Sequence, residues 1–173
     1  PKNITEALFF YFIIFSGLLG SFFFTNTLIK NKRVSFLSSL FYFFNLFTLS
    51  QVWARALFVG MFMWAFFPIF ILYFLKAVNE KGHKWILIFL IVQIFFSYSF
   101  VFPSNVFVLW FVAGLTLIFS IFENFRDEVK RLFLIKRFLL IVALWLITNI
   151  WWLYPYVTLS SSTYSSSSSA NLS

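Results

Sequence analysis

An all-α fold, a polytopic bundle of about six transmembrane helices with both chain ends extracytoplasmic, is what three features of the sequence predict. The 173 residues are 62% hydrophobic and only 10% charged, where a soluble domain carries roughly a quarter charged residues. The apolar residues fall in runs close to the ~20 needed to cross a hydrocarbon core of ~30 Å at ~1.5 Å per residue. The 13 Lys and Arg gather in short clusters between those runs, where they set orientation. With 30 Phe and a mean hydropathy of +0.94, the chain has more apolar surface than its own interior can hold.

The first span runs from Ala7 to Ile29 and stops at Lys30, Lys32 and Arg33. The second, Val34 to about Trp53, is the most polar, holding Asn45 and Gln51 besides several Ser and Thr. The third covers Ala56 to Leu75, and Pro68 should kink it because proline brings no N–H to the helical ladder. After the loop NEKGHK, the fourth runs from Trp85 to Phe102 and breaks at Pro103-Ser104-Asn105. The fifth is Val106 to Phe122, and the sixth Phe138 to Tyr154, with a start as early as Leu132 allowed by its apolar residues. The block ENFRDEVKRLFLIKR has Asp127 and Arg131, and Glu123 and Arg126, at spacings that fit a helix lying along the cytoplasmic interface, or a positively charged connector that fixes topology.

Orientation follows from the basic residues. Lys30, Lys32, Arg33, Lys76, Lys81, Lys84, Arg126, Lys130, Arg131, Lys136 and Arg137 fall at alternate connections, and only Lys2 and Arg55 at the others. Six spans put these two sets on opposite faces, whereas five spans would mix them. Trp151, Trp152, Tyr154 and Tyr156 then mark the outer boundary of the sixth span, where amphipathic rings prefer to sit. Pro155 is expected to end that helix. The transmembrane domain is thus residues 1–156, and residues 157–173 are expected to be a flexible, serine-rich extracytoplasmic segment. Because the chain begins at Pro1 and Ala7 onward is too long and aromatic for a cleavable signal, it reads as part of a longer protein.

Small residues at Ser16 and Gly20, Gly17 and Ser21, and Ala56 and Gly60 have the spacing that lets helices approach closely. Chemistry is sparse. The absence of cysteine excludes disulfides, zinc–thiolate sites and thiol catalysis. Of five carboxylates only Glu6 falls on the outer side, and His83 is the single histidine, a loop residue with no second ligand beside it. No catalytic residue, metal or cofactor is therefore assigned to this segment. The basic residues are accounted for by topology, so no nucleic acid is expected as a partner. Arg55, at the outer mouth between the second and third spans, could clamp the phosphate of a lipid or lipid-linked substrate, or anchor in the headgroups. Asn45 and Asn149 must find hydrogen-bond partners within lipid, between helices or on a ligand.

The stretches SSLFYFFNLFTLSQ and NIWWLYPY resemble segments of prokaryotic membrane glycosyltransferases of the GT-C type, polytopic enzymes that use polyprenyl-phosphate sugars. Tyr42, Asn45, Asn149, Trp151, Trp152, Leu153 and Pro155 carry the likeness, while Leu46 stands where that group often has proline. The resemblance, spanning roughly residues 28–156, implies sugar transfer at the outer face of a prokaryotic cell membrane. It also implies an acidic base in an early outer loop, often with a divalent metal, and this chain has no such loop. The expectation is a middle, non-catalytic segment lining the lipid-substrate groove, with Arg55, Asn45, Asn149, Trp151 and Trp152 as groove candidates. Its partners would be membrane lipids, a polyprenyl-phosphate sugar and the remainder of its own chain. The alternative is a polytopic transporter or membrane scaffold that binds a solute or partner helices.

Overall fold

In the computed structural model of the chain, residues 4–46, 48–53 and 58–170 are described, without the side chains of 51–53, 101 and 159–170. The described residues form six α-helices: α1 (Ile4–Ile29), α2 (Lys32–Phe44), α3 (Phe58–Asn79), α4 (Lys84–Phe95), α5 (Pro103–Glu123) and α6 (Glu128–Ala170). A π-helical segment, Thr48–Trp53, follows α2, and a 3₁₀ segment, Ser97–Val101, follows α4. Four helices are long and apolar enough to cross a membrane, namely α1, α3, α5 and Glu128–Thr158 of α6. That is the make-up of an integral membrane protein. The second and fourth apolar runs do not form single long helices. With 13 and 12 residues, α2 and α4 reach about 20 Å at ~1.5 Å per residue, short of the ~30 Å core.

The reasons for the two breaks are local. Asn45 closes α2: its Nδ2 donates to the carbonyls of Phe41 and Tyr42 and to Thr48 Oγ1, and its Oδ1 accepts from the Thr48 N–H at 2.9 Å. An asparagine that turns back on its own backbone competes with the helical ladder. In α4 the ladder ends at Phe96, and Pro103 opens α5 at its first turn, with Phe102 held extended before it. Asn105 Nδ2 donates to Ser99 O at 2.8 Å and fixes the 3₁₀ segment to the start of α5.

Helix α3 is the centre of the bundle, packing against α1, α4, α5, α6 and both short segments. Phe66, Phe70 and Phe74, four residues apart, are fully buried on one face. Their rings lie 5.2 Å from Phe96, 5.2 Å from Phe89, 6.1 Å from Trp110 and 6.1 Å from Phe138, so one aromatic spine touches every later helix. On the opposite flank, α1 comes close at glycines. A Cβ on Gly17 would fall 2.2 Å from the Trp64 ring, and one on Gly20 2.5 Å from Ile69. The small-residue spacing in α1 is thus a packing surface for α3. Ala56, of the matching pair in the third span, lies outside the described residues.

Pro68 sits inside α3 and leaves the carbonyl of Trp64 without its helical N–H. The Tyr42 hydroxyl, from α2, donates to that oxygen at 2.7 Å, and its ring stacks on Trp64 at 5.1 Å. At the other end of α3, Arg137 of α6 is buried and donates from Nε to Ala77 O at 3.1 Å. Its Nη2 donates to Glu80 O and Gly82 O. Gly82 is in the left-handed region, at φ +111°, where a side chain would be strained.

Two expected elements differ. The charged block after α5 is not a continuous interfacial helix: α5 stops at Glu123, residues 124–126 form a turn, and Asp127 caps α6 by accepting from the Lys130 N–H at 2.9 Å. Asp127 thus serves as the N-cap of α6. Pro155 does not end α6, which continues through it into the serine run. There the Thr158 hydroxyl donates back to the carbonyls of Tyr154 and Pro155, while the carbonyl that Pro155 deprives of its helical N–H is that of Trp151, four residues before it.

The Tyr42 hydroxyl should matter only while Pro68 is present. Tyr42→Phe is expected to lower stability by about 1–3 kcal/mol, the cost of stranding a buried acceptor. In the Pro68→Ala background, which restores the N–H, the same change should be close to neutral. Unfolding of the four proteins by denaturing detergent forms the double-mutant cycle, and equal losses in both backgrounds would refute the pairing.

Candidate functional site

One end of the bundle gathers the start of α1, the start of α3, the 3₁₀ segment and the later part of α6. Two clefts open there on either side of Tyr98. The larger, about 740 Å³, is lined by Thr5, Glu6, Phe9, Phe58, Phe62 and Tyr98. The smaller, about 330 Å³, is lined by Ser97, Tyr98, Phe100, Trp151, Trp152 and Tyr156. Both are aromatic surfaces with few polar groups, and in the larger the one ionisable carboxylate is Glu6, which is exposed. Phe9 and Phe62 form the floor of that cleft, with ring centres 5.1 Å apart, and Tyr98 stands edge-on to Phe62 at 5.3 Å.

Trp152 and Asn149 build the wall of the smaller cleft from α6. Asn149 is buried, with Nδ2 donating to Trp145 O at 2.9 Å and Oδ1 accepting from Trp152 Nε1 at 2.8 Å. The indole of Trp152 is thereby held parallel to Phe100, at 6.0 Å. Trp145, beneath it, is buried against Phe100 at 5.8 Å and Trp110 at 5.3 Å. Trp151 is 67% exposed and points its ring outward at the cleft's edge.

The structure therefore brings Asn149, Trp151 and Trp152 together and holds Asn45 apart from them. Asn45 lines a separate cavity among α1, α2, α3 and α5, and its amide is spent on the break after α2. Among the described residues neither asparagine bonds to another helix: each orders its own segment, and Asn149 does so by orienting an aromatic side chain. Arg55 lies outside the described residues. Sequence reasoning missed Tyr98, Phe58 and Phe62 as cleft residues. An apolar run with one tyrosine between serines, SYS, was the available signal. His83 is exposed in the loop before α4 and makes no side-chain cap there.

Compared with known proteins, the chain matches no family model, no curated protein and no solved structure. Its class is accordingly the one its fold defines, an all-helical membrane-type bundle with an aromatic-walled cleft pair at one end.

If Asn149 orders the smaller cleft, Asn149→Leu should release the Trp152 indole and cost about 1–2 kcal/mol in detergent unfolding. Iodide or acrylamide quenching of Trp fluorescence should increase as Trp152 turns outward. Unchanged quenching would mean that the ring is held by Phe100 alone.

Proposed function

We propose that this chain is a membrane-embedded, non-catalytic segment of a glycosyltransferase that uses polyprenyl-phosphate sugars, and that its cleft pair receives the lipid-linked sugar. The observation that carries the reading is the Tyr98 ridge with an aromatic cleft on each flank and Glu6 in the larger one. A sugar ring has apolar C–H faces and a rim of hydroxyls. It suits flat aromatic walls with a few polar groups to orient it. The polyprenyl chain would lie in the lipid beside the exposed apolar faces of α1 and α5. The catalytic acids would come from the remainder of the longer chain, since Glu6 stands alone among the carboxylates at this end.

The reading includes six crossings with both described ends outside the cytoplasm. It is supported by the residues that share a cleft: Glu6, Phe58 and Tyr98 meet at one end, whereas Leu28, Lys76 and Glu123 line a cavity at the other. On that view α4 and its 3₁₀ extension together traverse the bundle, as do α2 and the π-helical segment. A transporter is favoured by one observation, the interruption of α2 and α4, because discontinuous helices often flank solute sites. The interruption at Asn45, however, is closed by its own side-chain hydrogen bonds, which leaves few groups there to coordinate a solute.

The chain reconstituted in vesicles should bind a polyprenyl-phosphate hexose without turning it over. Tyr98→Ala and Trp152→Ala should each weaken that binding roughly threefold to tenfold, the loss of one aromatic contact. Arg55→Lys distinguishes a bidentate phosphate clamp, which it weakens, from a headgroup anchor, which it leaves unchanged. Cysteines at Ser35, Lys81 and Asp127 should resist an impermeant thiol reagent in intact cells, and one at Ser104 should react. Solute flux across the vesicles with no affinity for the lipid-linked sugar would establish the transporter instead.

A further inference from the structure

Helices α1 and α5 both pack on α3, yet they do not approach one another among the described residues. The gap between them is a crevice backed by α3. Two cavities occupy it, of about 440 and 300 Å³, and they share Phe24 and Thr116 as common walls. Its upper end is closed by α2, where Tyr42 and Asn45 meet Pro68. Its lower end opens at the basic end of the bundle, between Lys76 and Glu123. Along α5 the crevice runs from Val112 to Glu123, about 16 Å at ~1.5 Å per residue, or half of a ~30 Å core.

That length decides the kind of occupant. A partner helix would need a groove the full height of the membrane, whereas this one has the length of a single leaflet. The middle walls are apolar, with Phe24, Leu28, Leu75 and Phe119, and suit an acyl chain. The mouth carries one cation, Lys76, and two carboxylates, Glu80 and Glu123. Lys76 lies over the Trp85 ring at 4.3 Å, and Glu80 accepts from the Trp85 indole N–H. Glu123 has no hydrogen-bond or ion-pair partner among the described residues. As the last residue of α5 it also stands at the negative end of the helix dipole, where a carboxylate is unfavourable for the helix itself. An ammonium group in the crevice would supply what it lacks.

We propose that the α1–α5 crevice is a site for one zwitterionic glycerophospholipid with a primary-ammonium headgroup, its phosphate at Lys76 and its ammonium at Glu123. A trimethylated ammonium cannot donate a hydrogen bond to Glu123, and a glycerol headgroup brings no cation to it, so the site distinguishes among common lipids.

The full chain, incorporated into nanodiscs holding equal parts of phosphatidylethanolamine, phosphatidylcholine and phosphatidylglycerol, is then stripped with mild detergent. Lipid that stays bound is counted by native mass spectrometry. The expected result is one retained lipid per chain, with phosphatidylethanolamine enriched about tenfold, the factor of one charge-assisted hydrogen bond. Glu123→Gln should bring the three lipids to parity while thermal stability stays level or rises, because the substitution relieves the helix dipole. Thr116→Leu, which fills the crevice between the two cavities, should abolish retention. Equal retention of the three lipids by the parent chain would overturn the proposal, as would enrichment that survives Glu123→Gln. The exposed position of Glu123 keeps that second comparison decisive even if Thr116→Leu does not fold.

Discussion

A carbonyl without its helical partner organises the first half of this bundle. Pro68 lies in the middle of the helix that α1, α4, α5, α6 and both short segments pack against, and it removes the hydrogen bond that Trp64 O would otherwise accept. In hydrocarbon that oxygen must be satisfied from within the protein. The Tyr42 hydroxyl does so, and the geometry it requires fixes α2 against α3 with the tyrosine ring flat on Trp64. The same tryptophan ring is received on its other side by Gly17, where any larger side chain would collide with it. Proline, tyrosine, tryptophan and glycine from three helices thus form one unit, and the π-helical segment follows because Asn45 then terminates α2 within reach of Thr48.

The second half is fastened differently. Arg137 enters from α6 and binds three carbonyls at the connection between α3 and α4. Ala77 O is among the last four carbonyls of α3, which a helix C-terminus leaves unpaired, and Glu80 O and Gly82 O lie in the loop just beyond, so the guanidinium meets both the hydrogen-bonding demand and the negative end of the dipole. Burying a charge in this way is costly unless its donors are satisfied, and the left-handed turn at Gly82 is what brings the third carbonyl round. From this clamp the aromatic spine of α3 continues upward through Phe74, Phe70 and Phe66 to the rings that floor the cleft pair. Because α1 and α2 are held by the proline unit and α5 and α6 by the arginine and the aromatics, nothing draws α1 onto α5. The crevice lies along the seam.

Much of this was legible in the sequence and some was not, for reasons that differ by residue. Helix α1 stops at Ile29 as its basic flank suggests, Pro68 lies inside a helix, and the glycines of α1 are a packing face. These depend on residue type and short spacing, which sequence displays directly. The second and fourth apolar runs have the composition of spans but not the continuity. Hydropathy averages over a window, whereas Asn45 acts by a local hydrogen-bond choice that an average does not register. Asn149 was legible as a polar group in need of a partner, but its partner, the indole three residues on, is on its own helix. By residue type Pro155 reads as a stop because proline removes a donor, yet α6 runs on through it into the serine run. Tyr98 and Arg137 could not be placed from sequence, since their neighbours lie on other helices, as much as 60 residues away in the chain for Arg137.

The two ends of the bundle consequently present different chemistries on one scaffold. At the Tyr98 end the surfaces are broad, aromatic and nearly free of charge, and the rings are held in fixed orientations by Phe100, Asn149 and one another. At the opposite end a narrow apolar slot opens between a lysine and an unpaired glutamate. Helix α3 contributes to both, its N-terminal phenylalanines to the first and Leu75 and Lys76 to the second. A displacement of α3 along its axis would alter both sites together, but the Tyr42 bond and the Arg137 clamp hold it at two heights and resist that motion. Rigid registration of α3 is therefore the condition under which either site keeps its shape.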